Sequence, residues 1–303
     1  MHILISGGSG LIGQALTNDL IADGHEVVII SRTPDKFKDL PVNVKTIGWE
    51  IESLIHTIEN TDAVVNLVGA RIGGDSPLNM RWTSKRKKEI LESRVNGGKL
   101  LSEAIRLAAN KPKVFIQQSG VGYYGTSEDE LFDETSPQGE DFLAHVSHHW
   151  ENSTLPIEAM GIRRVITRTG VVFTRRKGIF SLLKLPFTFF IGGRLGSGKQ
   201  YLSWIHIDDL VRIFRFLIDK ETMEGIFNAT SPNPVMNADF AKSLGKAMNR
   251  PSSIAAPAFA FKLVLGEAST LILDGQRVLP TALLESGYQF KYVNLEDALS
   301  SIL

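Results

Sequence analysis

Cysteine is absent from the 303 residues. Its absence excludes a disulfide framework, a zinc–thiolate site and a thiol nucleophile. An excess of one charge is also missing, since Lys and Arg number 33 and Asp and Glu number 33. A general nucleic-acid binder carries a basic surplus, so nucleic acid is not an expected partner. Disorder is not expected either, because hydrophobic residues make up 43% of the chain. Long apolar runs are scarce. The nearest approach, residues 179–193, is interrupted by Lys184 and Pro186, so no membrane helix is expected. The opening Met1-His2-Ile3-Leu4-Ile5-Ser6-Gly7 has no basic segment ahead of a long apolar one. No secretory signal and no membrane contact are expected, and the expected location is cytoplasmic.

What is present is alternation. Short β-branched runs at His2–Ser6, Glu26–Ser31, Val44–Ile47, Ala63–Val68, Val114–Ser119 and Val165–Phe173 read as strands. Helical spacing occupies Leu11–Asp23, Ile51–Glu59, Lys85–Asn110 and Leu143–Met160 between them. This order predicts an α/β fold, a doubly wound parallel sheet with helices on both faces. After Phe173 the texture changes. A basic turn, Thr174-Arg175-Arg176-Lys177-Gly178, leads into an apolar stretch over Ile179–Ile191 and a glycine-rich loop over Gly192–Gly198. His206–Lys220 reads as a helix, Gly225–Ala229 as a strand, and the rest as mainly helical. The expected organisation is a nucleotide domain at 1–173 and a smaller, mainly helical cleft module at 174–303. Parts of 203–230 are expected to return to the first domain.

The strongest local signal is Gly7-x-x-Gly10-x-x-Gly13 between the first strand and the first helix. In such a motif the first glycine permits a tight turn, the second lets the backbone approach a pyrophosphate, and the third lets the helix pack closely. The helix start then offers free N–H groups to phosphate. The residues expected to line this site are Gly7, Ser9, Gly10, Leu11, Ile12 and Gly13. The next strand ends at Ser31-Arg32. An acidic residue there would read the ribose hydroxyls of NAD, whereas an arginine accommodates the 2′-phosphate of NADP. NADP is therefore the expected cofactor. Val68-Gly69-Ala70 ends the fourth strand, where small residues would let the chain pass close to a dinucleotide or simply make a turn.

The fifth strand ends in Gln117-Gln118-Ser119-Gly120-Val121-Gly122-Tyr123-Tyr124-Gly125. With the glycine motif, this run resembles the extended short-chain dehydrogenase/reductase superfamily of nucleotide-sugar epimerases and dehydratases. The resemblance implies that Ser119 orients a substrate hydroxyl. It also implies a Tyr-x-x-x-Lys pair on the following helix for proton transfer. That pair is missing, because Leu143 and Ser147 stand where it belongs. Tyr123 or Tyr124 could supply the proton instead, and His145 is a further candidate. His145, His148 and His149 otherwise read as surface residues, and no metal site is expected.

Arg164–Val172 and the Trp204-Ile205-His206-Ile207-Asp208-Asp209 segment resemble the same superfamily, and Arg250-Pro251, Leu265-Gly266-Glu267 and the Leu273–Pro280 and Gly287–Phe290 runs are similar to the extra C-terminal module of its YfcH-like "epimerase family" of atypical reductases. The resemblance covers essentially the whole chain and implies a fold and a cofactor, with no settled reaction. Gln276-Arg277 is either an anion clamp for substrate or a structural turn. Ile179–Ile191 is either a mobile apolar lid or a buried helix. The functional expectation is an NADP-dependent oxidoreductase or epimerase-like enzyme on a small molecule that could be anionic, as a monomer or homodimer. The alternative is an NADP(H)-binding sensor or scaffold without turnover.

Overall fold

A computed structural model describes residues 1–36, 40–73, 80–175 and 178–303. Arg176 and Lys177 of the basic turn lie outside these residues. Seven parallel strands form the centre: β1 (His2–Ser6), β2 (Glu26–Ile30), β3 (Val44–Ile47), β4 (Ala63–Asn66), β5 (Val114–Gly120), β6 (Arg163–Thr169) and β7 (Gly225–Ala229). In the sheet they run β7-β6-β5-β4-β1-β2-β3. Chain order therefore reverses between β1 and β4, and ligands of such sheets bind at the carboxyl ends of the strands at this switch point.

The helices are α1 (Leu11–Ala22), α2 (Ile51–Ile58), α3 (Ser84–Leu107), α4 (Phe142–Asn152), α5 (Ile179–Thr188), α6 (Ile207–Asp219), α7 (Asn237–Met248) and α8 (Ala258–Leu265), followed by further helices at Thr270–Leu273, Thr281–Glu285 and Leu295–Ile302. Successive strand residues point to opposite faces. Ile3 and Ile5 meet Leu16 and Leu20 of α1 and Leu210 and Phe214 of α6 on one side. Leu4, Val64 and Phe115 meet Leu54 of α2 and Leu101 and Ile105 of α3 on the other. Each such side chain contributes about 1.5–3 kcal/mol when fully buried, and this double cover explains why the strands are uninterrupted aliphatic runs. A third core joins Phe173, Phe180, Phe187, Trp204, Phe240, Leu244 and Leu299 in the C-terminal part.

Two expected elements are revised. The strand expected over Val165–Phe173 breaks at Gly170, where a Cβ would lie 2.5 Å from the Ser203 carbonyl oxygen. Its last piece, Val171–Phe173, leaves the main sheet to pair with Trp204–His206. The helix expected over Leu143–Met160 ends at Asn152, and Leu155–Met160, with Pro156 in its first turn, continues as 3-10 helix. Among the described residues, no helix is long and apolar enough to cross a membrane.

Candidate functional site

The carboxyl end of β1 turns at Gly7, whose φ of +72° is left-handed. A Cβ there would lie 2.7 Å from the Leu67 carbonyl oxygen, and one at Gly13 would lie 2.5 Å from the Gly7 carbonyl oxygen. Glycine is required at both positions, for the turn and for close helix packing. Gly10 differs. It is exposed, and a Cβ there would meet only the Gly7 carbonyl oxygen, at 3.1 Å. Gly10 also caps α1 without any side-chain hydrogen bond, and the first turn of α1 holds no acidic residue. The N–H groups at Leu11 and Ile12 thus have no capping side chain and can serve phosphate oxygens. Ser9 is exposed beside them. This cradle fits the pyrophosphate of a dinucleotide.

Beyond β2, the Ser31 hydroxyl accepts a hydrogen bond from the Thr33 N–H at 3.1 Å. Arg32 is exposed and makes no hydrogen bond or ion pair among the described residues. At the end of β4, Val68, Gly69 and Ala70 are held from below by Arg94 of α3. The Arg94 guanidinium donates to the carbonyl oxygens of Ala70 and Ile90, at 3.0 and 2.9 Å. It lies 4.9 Å from the Trp150 ring, and a Cβ on Gly69 would meet it at 2.7 Å. Burial, and then the nearby charge of Arg86, pull its pKa down to about 10. The role of Arg94 is not legible in the sequence, because its hydrogen-bond partners are backbone carbonyls, which leave no mark in a residue pattern.

A polar row crosses the sheet beneath the crevice. The Ser6 hydroxyl donates to Asn66 Oδ1 at 2.6 Å, and Asn66 Nδ2 donates to Gln117 Oε1 at 2.8 Å. All three are fully buried. Next along β5 at its carboxyl end lies Ser119, 2% exposed and paired in register with Arg168. The Ser119 hydroxyl has no hydrogen-bond partner among the described residues. A buried hydroxyl without a partner costs about 1–3 kcal/mol, which makes it a candidate to meet a ligand.

The two tyrosines after β5 have different surroundings. The Tyr124 hydroxyl donates to Asn228 Oδ1 at 2.7 Å and accepts from Arg168 Nη1 at 3.1 Å. Burial pushes its pKa up to about 12, against the pull of Arg168 and Asn228. Tyr123 is half-buried, with the Arg168 guanidinium 3.3 Å from its ring centroid. Arg168 in turn forms a two-pronged pair with Glu151 of α4, at 3.0 and 2.9 Å. Burial works against the Arg168 charge, but the Glu151 bonds and charge hold its pKa above the ordinary value. The network continues to Glu134, whose carboxylate accepts from the Asn228 N–H at 2.9 Å and the Ala282 N–H at 3.3 Å. Glu151 and Asn228 were not anticipated from the sequence. The available signal was an arginine at a strand's carboxyl end beside a helix bearing an acid.

On α4, Leu143 presses on the turn after β5, since a Cβ on Gly122 would lie 3.0 Å from the Leu143 Cβ. Ser147 is buried. His145 and His149 stack with ring centroids 4.0 Å apart on the exposed face. Desolvation and the two neighbouring histidines lower the His145 pKa. Among the described residues, no group of three His, Cys, Asp or Glu could hold a metal ion. Arg277 is exposed, with its guanidinium 5.2 Å from the Tyr201 ring centroid. In α5, Phe180 and Phe187 enter the third core, while Leu182 and Leu185 face solvent.

A switch-point crevice, a glycine cradle and a free helix start define a nucleotide-binding fold of the Rossmann kind. Comparison with known proteins makes this more specific. The NAD dependent epimerase/dehydratase family matches residues 3–176, and a domain of unknown function, DUF1731, matches residues 256–302. The epimerase family protein YfhF of Bacillus subtilis is 40% identical over 306 residues, spanning 100% of this chain and 98% of its own. An Arabidopsis thaliana relative described as a chloroplastic SDR39U1 homolog is 37% identical over 100% of this chain and 87% of its own. The crystal structure of human epimerase family protein SDR39U1 with NADPH superposes with a TM-score of 0.89 at 37% identity, covering 100% and 99% of the two chains. The chain belongs to the NAD dependent epimerase/dehydratase family, with the NAD(P)-binding epimerase fold and the DUF1731 segment at its C-terminal end.

Proposed function

We propose that the protein is an NADP(H)-dependent oxidoreductase or epimerase-like enzyme acting on a small molecule. The observation that carries this reading is the Ser119 hydroxyl, buried and unpartnered at the carboxyl end of β5. The cofactor would lie with its pyrophosphate on Gly10, Leu11 and Ile12, its 2′-phosphate on Arg32, and its sugar beside Val68, Gly69 and Ala70. The NADPH bound to the human relative supports the choice of NADP. When bound, the nicotinamide supplies or accepts hydride.

Ser119 holds the substrate oxygen by donating a hydrogen bond to it. Tyr123 supplies the proton, because the Tyr124 hydroxyl is already committed to Asn228 and Arg168. The chain from 174 onward covers the substrate. NADPH oxidation across a panel of carbonyl compounds and nucleotide sugars tests this. Ser119→Ala should lower kcat/KM by about 10²-fold, the effect of losing one positioned donor. Turnover unchanged by that substitution would remove Ser119 from the chemistry.

One observation favours a second reading, that of a sensor without turnover. Leu143 places an apolar side chain against the turn where the superfamily has its tyrosine. Tight NADPH binding without turnover on any substrate of the panel would select this reading. Under either reading, Arg32→Ala should weaken NADPH on the order of tenfold more than NADH, as measured by calorimetry, because it removes charge-assisted hydrogen bonds. Equal losses for the two nucleotides would refute the 2′-phosphate role.

A further inference from the structure

Two stretches of this chain depart from its charge balance. Residues 178–199 contain Lys184, Arg194 and Lys199 and no Asp or Glu, and residues 246–266 contain Lys246, Arg250 and Lys262 and no Asp or Glu. The fold brings them together. The Ile254 N–H donates to the Gly192 carbonyl oxygen at 3.2 Å, and the Ala256 N–H donates to the Arg194 carbonyl oxygen at 2.9 Å. The Arg250 guanidinium lies 4.2 Å from the Phe190 ring centroid. None of the six cations forms an ion pair among the described residues.

The same surface is apolar. Phe189 is 65% exposed, Phe259 71% and Leu263 75%, with Phe190, Ile191, Ile254 and Val264 also exposed around them. In α5 and at its C-cap, Leu182, Leu185 and Phe189 follow one another at helical spacing on the solvent side, while Phe180 and Phe187 are buried. In α8, Phe259 and Leu263 do the same while Leu265 is buried. A helix whose apolar residues extend well beyond its buried stripe is ordinarily covered by protein or by lipid. Phe190 has a φ of +62°, one of two non-glycine residues with positive φ among those described, and the other, Asn249, adjoins Arg250. A bulky residue in this region is held at a cost in backbone strain. Here that cost keeps an aromatic ring in solvent.

We propose that this surface docks the protein on an anionic bilayer. The cations meet the headgroups, and Phe189, Phe190, Phe259 and Leu263 enter the interface. The docking is on the membrane surface and involves no crossing. Asp274 interacts with Lys262, but the six cations outnumber it, so a second copy is a poor occupant: two such faces repel each other.

Co-sedimentation of the full chain with vesicles tests the proposal. One set contains phosphatidylcholine alone, the other phosphatidylcholine with phosphatidylglycerol. Binding is expected to the mixed vesicles and to fall as salt is raised. A Lys246→Glu/Lys262→Glu variant should bind at least roughly tenfold more weakly, at about 1 kcal/mol for each cation near the surface. Phe189→Ser/Leu263→Ser should bind more weakly to the same vesicles at low salt. Retained NADPH affinity shows that each variant is folded. Failure of the wild type to bind the mixed vesicles overturns the proposal, as does binding that neither variant weakens. Light scattering that shows a wild-type dimer dissociated by Phe189→Ser/Leu263→Ser also overturns it, in favour of self-association.

Discussion

Ser119 lies at the end of β5 and Tyr124 in the turn that follows, yet the fold treats their hydroxyls oppositely. Tyr124 is satisfied by a carboxamide and a guanidinium, and Ser119 by no group among the described residues. Tyr124→Phe should therefore act on stability, because it leaves Asn228 Oδ1 and one Arg168 N–H without their partner. A loss of about 1–3 kcal/mol is expected in denaturant unfolding, with NADPH affinity unchanged. A large loss of turnover at unaltered stability would move Tyr124 back among the reacting groups. The sequence could not separate these two hydroxyls. Asn228 is 104 residues from Tyr124, and Glu151 is 17 from Arg168. By contrast, the turn at Gly7, Gly10 and Gly13 was legible, because it is one local strand–turn–helix whose constraints act on neighbouring residues.

At the level of elements, α6 shows how one side chain sets a boundary. His206 caps this helix, with its Nδ1 accepting from the Asp208 N–H at 3.1 Å. That bond requires a lone pair on Nδ1, so Nε2 carries the proton and faces Ser301 Oγ at 3.0 Å. Burial holds the His206 pKa below 6.5, and Lys291 acts in the same direction, while Asp208 and Asp209 oppose them. The unfolded chain therefore takes up a proton near pH 6.5 that the folded chain refuses. The stability associated with neutral His206 is complete above that pH and is lost as pH falls below it. His206→Asn keeps a capping acceptor without the titration. Denaturant midpoints between pH 7.5 and 5.5 (about one unit to either side of the ordinary histidine value) should fall less steeply for the variant, and parallel slopes would exclude His206 as the source. The helix itself was legible from its spacing. The break at Gly170 was not, because it depends on a carbonyl group thirty-three residues further along the chain, that of Ser203.

Over the whole molecule, the sheet is not completed by the residues that the epimerase family matches. β7 and α6 both follow residue 176, and they supply the edge strand beside β6 and the side chains Leu210, Phe214 and Leu217 that cover one face. A fragment ending at 176 leaves β6 as a bare edge over an uncovered aliphatic surface. It should aggregate or show no cooperative thermal transition by circular dichroism, whereas the full chain melts cooperatively. A monomeric, cooperatively melting fragment would show that the later residues are dispensable for the fold.

The buried row of Ser6, Asn66 and Gln117 has a consequence for alignment. β1, β4 and β5 are aliphatic toward both faces, so sliding one past its neighbour by a residue changes little in hydrophobic burial. The row removes that freedom. Ser6 pairs with Asn66 and Asn66 with Gln117 in the native register. A slip of β4 by one residue would bring Val65 or Leu67 beside Ser6 and strand the Asn66 amide, at about 1–3 kcal/mol for each orphaned group. Three hydrogen-bonding side chains thus act as a key that admits one alignment, and that alignment sets the floor of the crevice level across three strands.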